Sequence, residues 1–205
     1  MRRTLVRLTV VASALTVAVA CTGDAAKSSA PAPSRVDAVV APPPLEKDPK
    51  AVAAFCDSHF TEADAKPFVW PGLADSAAVP ANGEWRWLNV WATWCKPCVA
   101  EMPLIVKWQG KLAADGVKTG FTLLSVDDNG GKVTHFATEH PDLPVGPRID
   151  DVKNLESWLT SNGLDASVAI PLNFFLDGQG RTRCVRSGQI SDTDYAAIKR
   201  VLQGE

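Results

Sequence analysis

Apolar residues fall into three regimes along this chain. Residues 8–20 form one short, nearly continuous apolar run. Residues 22–49, rich in Ala, Pro and Ser, show no apolar period. From residue 50 onward the pattern switches repeatedly between a period of two and steps of three and four, the signatures of strand and helix. Val52, Phe55 and Cys56 mark a short helix over 50–57, and residues 68–70 read as a short strand. A turn at 81–83 leads into a strand over 85–91. Cys98, Glu101, Ile105, Trp108 and Leu112 share one stripe of a helix over 99–112, which Pro103 should kink. A strand over 119–126 follows, then a helix through Val133, Phe136, Ala137 and His140 that Pro141 ends. Residues 145–149 read as a short strand, and Asp151 caps a helix with Val152, Leu155 and Leu159 inward. Strands over 172–176 and 181–186 are joined by the turn 177–180. A capping-box-like start at 191–194 opens a last helix through Tyr195, Ile198, Val201 and Leu202. Strands alternating with helices, then a hairpin, then a helix, give an α/β fold with a mixed central sheet and helices on both faces.

The start of the chain sets the compartment. Arg2, Arg3 and Arg7 precede the apolar run, which is too short for a comfortable membrane span and reads as a secretory signal over 1–20. Residues 18–21, Ala-Val-Ala-Cys, resemble a lipoprotein processing site, with Cys21 lipidated and holding the protein to a membrane. An uncleaved anchor and plain soluble export are the alternatives. Residues 21–49 then form a disordered or semi-extended tether, and 50–205 one domain with room for one core. Without the signal, 18 basic residues face 23 acidic ones, a net of −5, and no basic stretch remains, which argues against a nucleic-acid partner. Export places the protein outside the cytoplasm, where disulfides persist.

The chemistry centres on Cys95 and Cys98, two residues apart where a strand ends and a helix begins. Unpaired N–H groups and the macrodipole at a helix start favour a thiolate, the nucleophile of disulfide exchange. Cys95 is the attacking thiol, helped by the charge of Lys96. Cys98, one helical turn on, is the resolving thiol. Zinc normally takes four ligands. The chain offers no second Cys-x-x-Cys, and His135 and His140 follow a different strand, so no metal site is assigned. Trp85, Trp87 and Trp91 are read as strand core rather than a binding cluster.

The segment 89–103, Asn-Val-Trp-Ala-Thr-Trp-Cys-Lys-Pro-Cys-Val-Ala-Glu-Met-Pro, resembles the active-site segment of thioredoxin-like proteins, above all the membrane-tethered extracytoplasmic branch typified by TlpA and ResA. The resemblance covers about residues 66–205 and implies a thioredoxin-like fold with an extra βα insert and an N-terminal extension. It also implies a thiol–disulfide oxidoreductase with no cofactor, acting as a monomer on protein thiols and disulfides. Such a protein reduces particular disulfides, as in cytochrome c maturation or copper-site cysteines, and is recharged by a membrane electron donor. In that family a cis proline faces the cysteine pair. Pro171 takes that place here, leaving the backbone of Ile170 free to pair with an extended substrate. Trp94 and Pro97 complete the substrate-binding set. Many thioredoxins carry a buried aspartate six residues before the first cysteine. Asn89 stands there instead and cannot titrate. Glu101, three residues after Cys98, matches the branch that carries a glutamate there, and is the candidate for taking the proton of Cys98. A copper(I)-delivery protein using the same two thiolates is the alternative reading. It is disfavoured because no histidine lies between 171 and 188.

With Cys21 assigned to lipid and Cys95 to Cys98, Cys56 and Cys184 remain, and in an exported protein they are expected to form a structural disulfide. Two separately buried free thiols are the alternative.

Overall fold

The computed structural model describes residues 49–77, 80 and 83–205. The signal, Cys21 and nearly all of the tether lie outside the described residues. Helix α1 (Pro49–Phe55) leads to two short strands, β1 (Ser58–His59) and β2 (Lys66–Pro67). The domain continues as β3 (Trp85–Trp91), α2 (Lys96–Ala114), β4 (Thr119–Ser125), α3 (Gly130–Glu139), α4 (Leu155–Ser161), β5 (Leu172–Leu176), β6 (Arg181–Ser187) and α5 (Tyr195–Leu202). The sheet order is β1-β6-β5-β3-β4, with β2 also on the outer edge of β6. β3 and β4 are parallel, whereas β3–β5 and β5–β6 are antiparallel. This is a mixed sheet, covered by helices on both sides.

Period two in β3 and β5 builds the two sides of the core. Leu88 and Val90 of β3 join Leu172, Phe174 and Leu176 of β5, beneath Phe136, Trp158 and Leu159 from α3 and α4. On the other face Trp87 and Phe175 stack, with ring centroids 5.5 Å apart. They pack under Ile105, Trp108 and Leu112 of α2, Val52 and Phe55 of α1, and Ile198, Val201 and Leu202 of α5. The stripe read on α2 is the buried one: Cys98, Glu101, Ile105, Trp108 and Leu112 all point inward, with Met102. The helix runs as one element of 19 residues with Pro103 in its interior.

Two short strands read from the sequence are not strands, and the backbone partners explain why. Residues 68–70 lie between Pro67 and Pro71, neither of which can donate. Val69 instead pairs with a side chain: its N–H donates to Asn162 Oδ1 at 3.0 Å, and its carbonyl accepts from Asn162 Nδ2 and from Trp158 Nε1. The pairing that makes β2 sits two residues earlier, at Lys66–Pro67. Residues 145–149 hold only isolated bridges, Arg148 with Ser125 and Ile149 with Leu73. Pro144 and Pro147 remove donors there. Gly146 crosses so close to β4 that a Cβ there would collide with the Leu123 carbonyl oxygen. The insert between β4 and β5 is thus helical, its strand part reduced to these bridges.

The N-terminal extension is laid along β6. Asp57 and Phe60 donate N–H bonds to the Val185 and Arg183 carbonyls at 2.8 Å. Beside them the sulfurs of Cys56 and Cys184 lie at 2.05 Å, with Cα atoms 5.5 Å apart, inside the reach of a disulfide. Their sequence separation is 128 residues. Closing so long a loop contributes on the order of 4–5 kcal/mol in the chain-entropy description. The double substitution Cys56→Ala/Cys184→Ala is therefore expected to lower unfolding free energy by up to about that amount in urea titrations. Thiol counting on the unreduced, denatured protein should find neither sulfur free. Two extra thiols would overturn the pairing.

Candidate active site

Cys95 is the N-cap of α2, with extended backbone, and its Sγ accepts from the Cys98 N–H at 3.3 Å. The helix therefore directs a backbone donor at this sulfur, which favours negative charge there. Cys95 and Cys98 sit at disulfide distance, Cα atoms 5.3 Å apart. Cys95 retains 5% exposure and Cys98 none. Trp94 beside them is 63% exposed, an unusual position for a large apolar ring, and Pro97 is also exposed. The Ile170–Pro171 peptide is cis, and the Ile170 carbonyl oxygen lies 3.8 Å from Cys95 Sγ. Cys95, Cys98, Ile170 and Pro171 thus come together although 75 residues separate Cys95 from Ile170.

Behind the cysteines, Glu101 is 1% exposed. Ile190 N–H donates to its Oε2 at 2.8 Å and Asn89 Nδ2 to its Oε1 at 2.8 Å. Asn89 also donates to Asn173 Oδ1 at 2.9 Å, which accepts from Trp87 Nε1 at 2.8 Å. The register makes this knot: Asn89 stands directly opposite Asn173 across β3 and β5. Burial pushes the Glu101 carboxyl up from 4.5 to about 7, against the two donors, which favour its ionised form. A group with that affinity exchanges protons near neutral pH.

Two elements of this arrangement escaped the sequence reading. Asn173 lies inside an apolar strand and carried no motif. Asp127 follows the strand over 119–126 with no motif of its own, yet it is fully buried. Its carboxylate accepts from the N–H and hydroxyl of Thr93, at 3.0 and 2.7 Å, and from Ser125 Oγ at 2.9 Å. It clasps the residue two places before Cys95 to the end of β4. Its position after an apolar strand, level with the end of β3, was the available signal. His59, His135 and His140 are exposed. Among the described residues no group of three His, Cys, Asp or Glu side chains could hold a metal ion.

The raised Glu101 affinity has a consequence for stability. The folded state binds this proton more tightly than the unfolded chain, so the stability it contributes is full below about pH 4.5 and is lost as pH rises through about 7. The variant Glu101→Gln has nothing to titrate. Its stability relative to the parent should improve by up to about 3 kcal/mol between acidic and mildly alkaline pH, read by urea unfolding across that range. A difference that stays constant with pH contradicts the assignment.

No family model matches the chain. It is 32% identical over 123 residues to the thiol:disulfide interchange protein DsbE of Yersinia pestis, covering 60% of this chain and 58% of that protein. It is 30% identical over 117 residues to the thioredoxin-like protein YneN of Bacillus subtilis, covering 57% and 64%. The chain thus spans about three fifths of the length of these curated relatives. A secreted thiol-disulfide isomerase from Corynebacterium glutamicum has the same fold, with TM-score 0.55 and 24% identity over 72% of this chain and 92% of that one. This chain is a thioredoxin-fold protein, similar in sequence to the thiol–disulfide oxidoreductases and interchange proteins named DsbE and ResA.

Proposed function

We propose that this protein is an extracytoplasmic thiol–disulfide oxidoreductase that exchanges the Cys95–Cys98 disulfide with protein substrates, working as a reductant. The observation that carries the reading is the Cys95 sulfur at the α2 N-terminus, facing the Ile170 carbonyl and backed by buried Glu101. In the reduced protein the Cys95 thiolate attacks one sulfur of a substrate disulfide. That disulfide breaks, its second sulfur leaves as a thiolate and takes a proton, and a mixed disulfide remains. Cys98 gives its proton to Glu101 and attacks Cys95 Sγ. The substrate's remaining sulfur leaves, the Cys95–Cys98 disulfide closes, and two electrons have passed to the substrate.

Exposed Trp94 and Pro97 flank the attacking sulfur, and the backbone at Ile170 offers an extended peptide a place to align. Cysteines of cytochrome c or of copper sites are the proposed substrates, and a membrane electron donor recharges the pair. Cys21 is proposed as the lipid anchor of a monomer, and Cys56–Cys184 as the structural disulfide. Among the described residues no helix is long and apolar enough to cross a membrane. Among the described residues no group of three His, Cys, Asp or Glu side chains offers the copper-delivery alternative a third ligand.

Two experiments test the reading. Cys98→Ala should leave Cys95 disulfide-linked to its substrate proteins, recoverable from the exported fraction and released by reductant. No linked species, with Cys95 reduced and accessible, contradicts it. Glu101→Gln should slow resolution of the mixed disulfide roughly 10²-fold near neutral pH while leaving the attack by Cys95 largely intact. Stopped-flow traces showing equal turnover at every pH would remove Glu101 from the chemistry.

A further inference from the structure

Glu101 meets two donors of different kinds. The Ile190 N–H is backbone and cannot reverse. The Asn89 carboxamide can, because its two ends are similar in shape and opposite in polarity. With its NH2 toward Glu101 it favours the carboxylate. With its oxygen there it favours the protonated acid. Nothing local to Asn89 chooses between them.

The choice is made two residues away. Trp87 Nε1–H can only donate. It reaches Asn173 at 2.8 Å, so the atom of Asn173 that meets it must be the oxygen. That same oxygen lies 2.9 Å from the end of the Asn89 amide, and two oxygens would repel there, so this end must be the NH2. The NH2 has two hydrogens, one for Asn173 and one for Glu101 Oε1 at 2.8 Å. Reversing both amides together would set the indole N–H against an NH2. Trp87 and Asn89 share a face of β3, and Asn89 pairs with Asn173, so the register holds the three in line. The arrangement leaves Asn89 Oδ1 and Asn173 Nδ2 buried with no hydrogen-bond partner, a local cost that amides free to choose would not keep.

We infer that Trp87 and Asn173 are positioning residues, whose hydrogen bonds hold the Asn89 amide so that its NH2, never its oxygen, faces the Glu101 carboxyl. This deepens, and rests on, the reading of Glu101 as the proton acceptor for Cys98. The groups bonded to that carboxyl are Asn89 from β3 and the Ile190 N–H ahead of α5, neither of them a charged side chain, and Cys98 stands one turn earlier on the same buried stripe of α2. The amide therefore acts beside the Ile190 N–H and against burial, with no charged side chain among the groups that set this affinity.

The test titrates Glu101 directly, by carboxyl carbon NMR on the oxidised full-length protein, with Glu101→Gln identifying the resonance. Trp87→Phe keeps an aromatic ring against Phe175 and removes the indole donor. Glu101 should become about tenfold weaker as an acid, its titration midpoint moving up. Asn173→Leu, which removes the shared oxygen, should move it the same way and stands in should Trp87→Phe fail to fold. Trp108→Phe alters a ring 6.3 Å from Trp87 that makes no bond to Asn173, and should leave the midpoint in place. An unmoved midpoint in a folded Trp87→Phe or Asn173→Leu protein, or an equal movement in Trp108→Phe, overturns the inference whatever the turnover does. A moved midpoint with unchanged resolution of the mixed disulfide keeps the inference and instead removes Glu101 as the acceptor for Cys98.

Discussion

A carboxyl with 1% exposure, one helical turn from a buried cysteine, is the constraint on which this site depends. Burying an acid in an apolar stripe is unfavourable unless hydrogen bonds meet it. Here the donors come from elsewhere in the chain: the Asn89 amide in the central strand and the Ile190 N–H ahead of the last helix. Satisfying one side chain therefore ties β3, α2 and the lead into α5 together directly behind Cys98. Burial and donors oppose each other, and the resulting affinity near 7 is neither that of a surface glutamate nor that of a permanently neutral acid.

In front of that knot, the cysteine loop is held at both ends. Asp127 takes three hydrogen bonds, two of them from Thr93, and so anchors the approach to Cys95 on the end of β4. The helix begins at Cys95 itself, and the Cys98 N–H closes the cap on its sulfur. Between these anchors Trp94 is pushed outward instead of into the core. The same anchors leave Cys95 with 5% exposure and Cys98 with none.

Away from the site, the N-terminal extension covers what would otherwise be an open sheet edge. β1 and β2 pair with the outer side of β6, and Val52 and Phe55 fill the face beneath α5. The Cys56 and Cys184 sulfurs meet where that extension first touches the sheet. Unpaired strand edges invite association with other chains, so this cover protects the fold as well as enlarging its core.

The local pattern by itself determined the central strand, the helix behind the cysteines with its inward stripe, the closing hairpin and the last helix. In each, the period of apolar residues is long and the ends carry caps or turns, so local chemistry and tertiary packing agree. The two cysteines were legible for the same reason, since spacing and a helix start are local properties. Local reading failed at 68–70 and 145–149, where prolines remove donors and the missing partners come from Asn162 and Ser125, far along the chain. The place of Pro171 opposite Cys95 could be expected only through resemblance, and the tertiary fold puts the Ile170 carbonyl there. The roles of Asn173 and Asp127 belong wholly to the fold. An amide in an apolar strand and an aspartate at a strand end have no distinctive pattern, and their meaning arises only when strand register and loop closure bring Asn89 and Thr93 within hydrogen-bond reach.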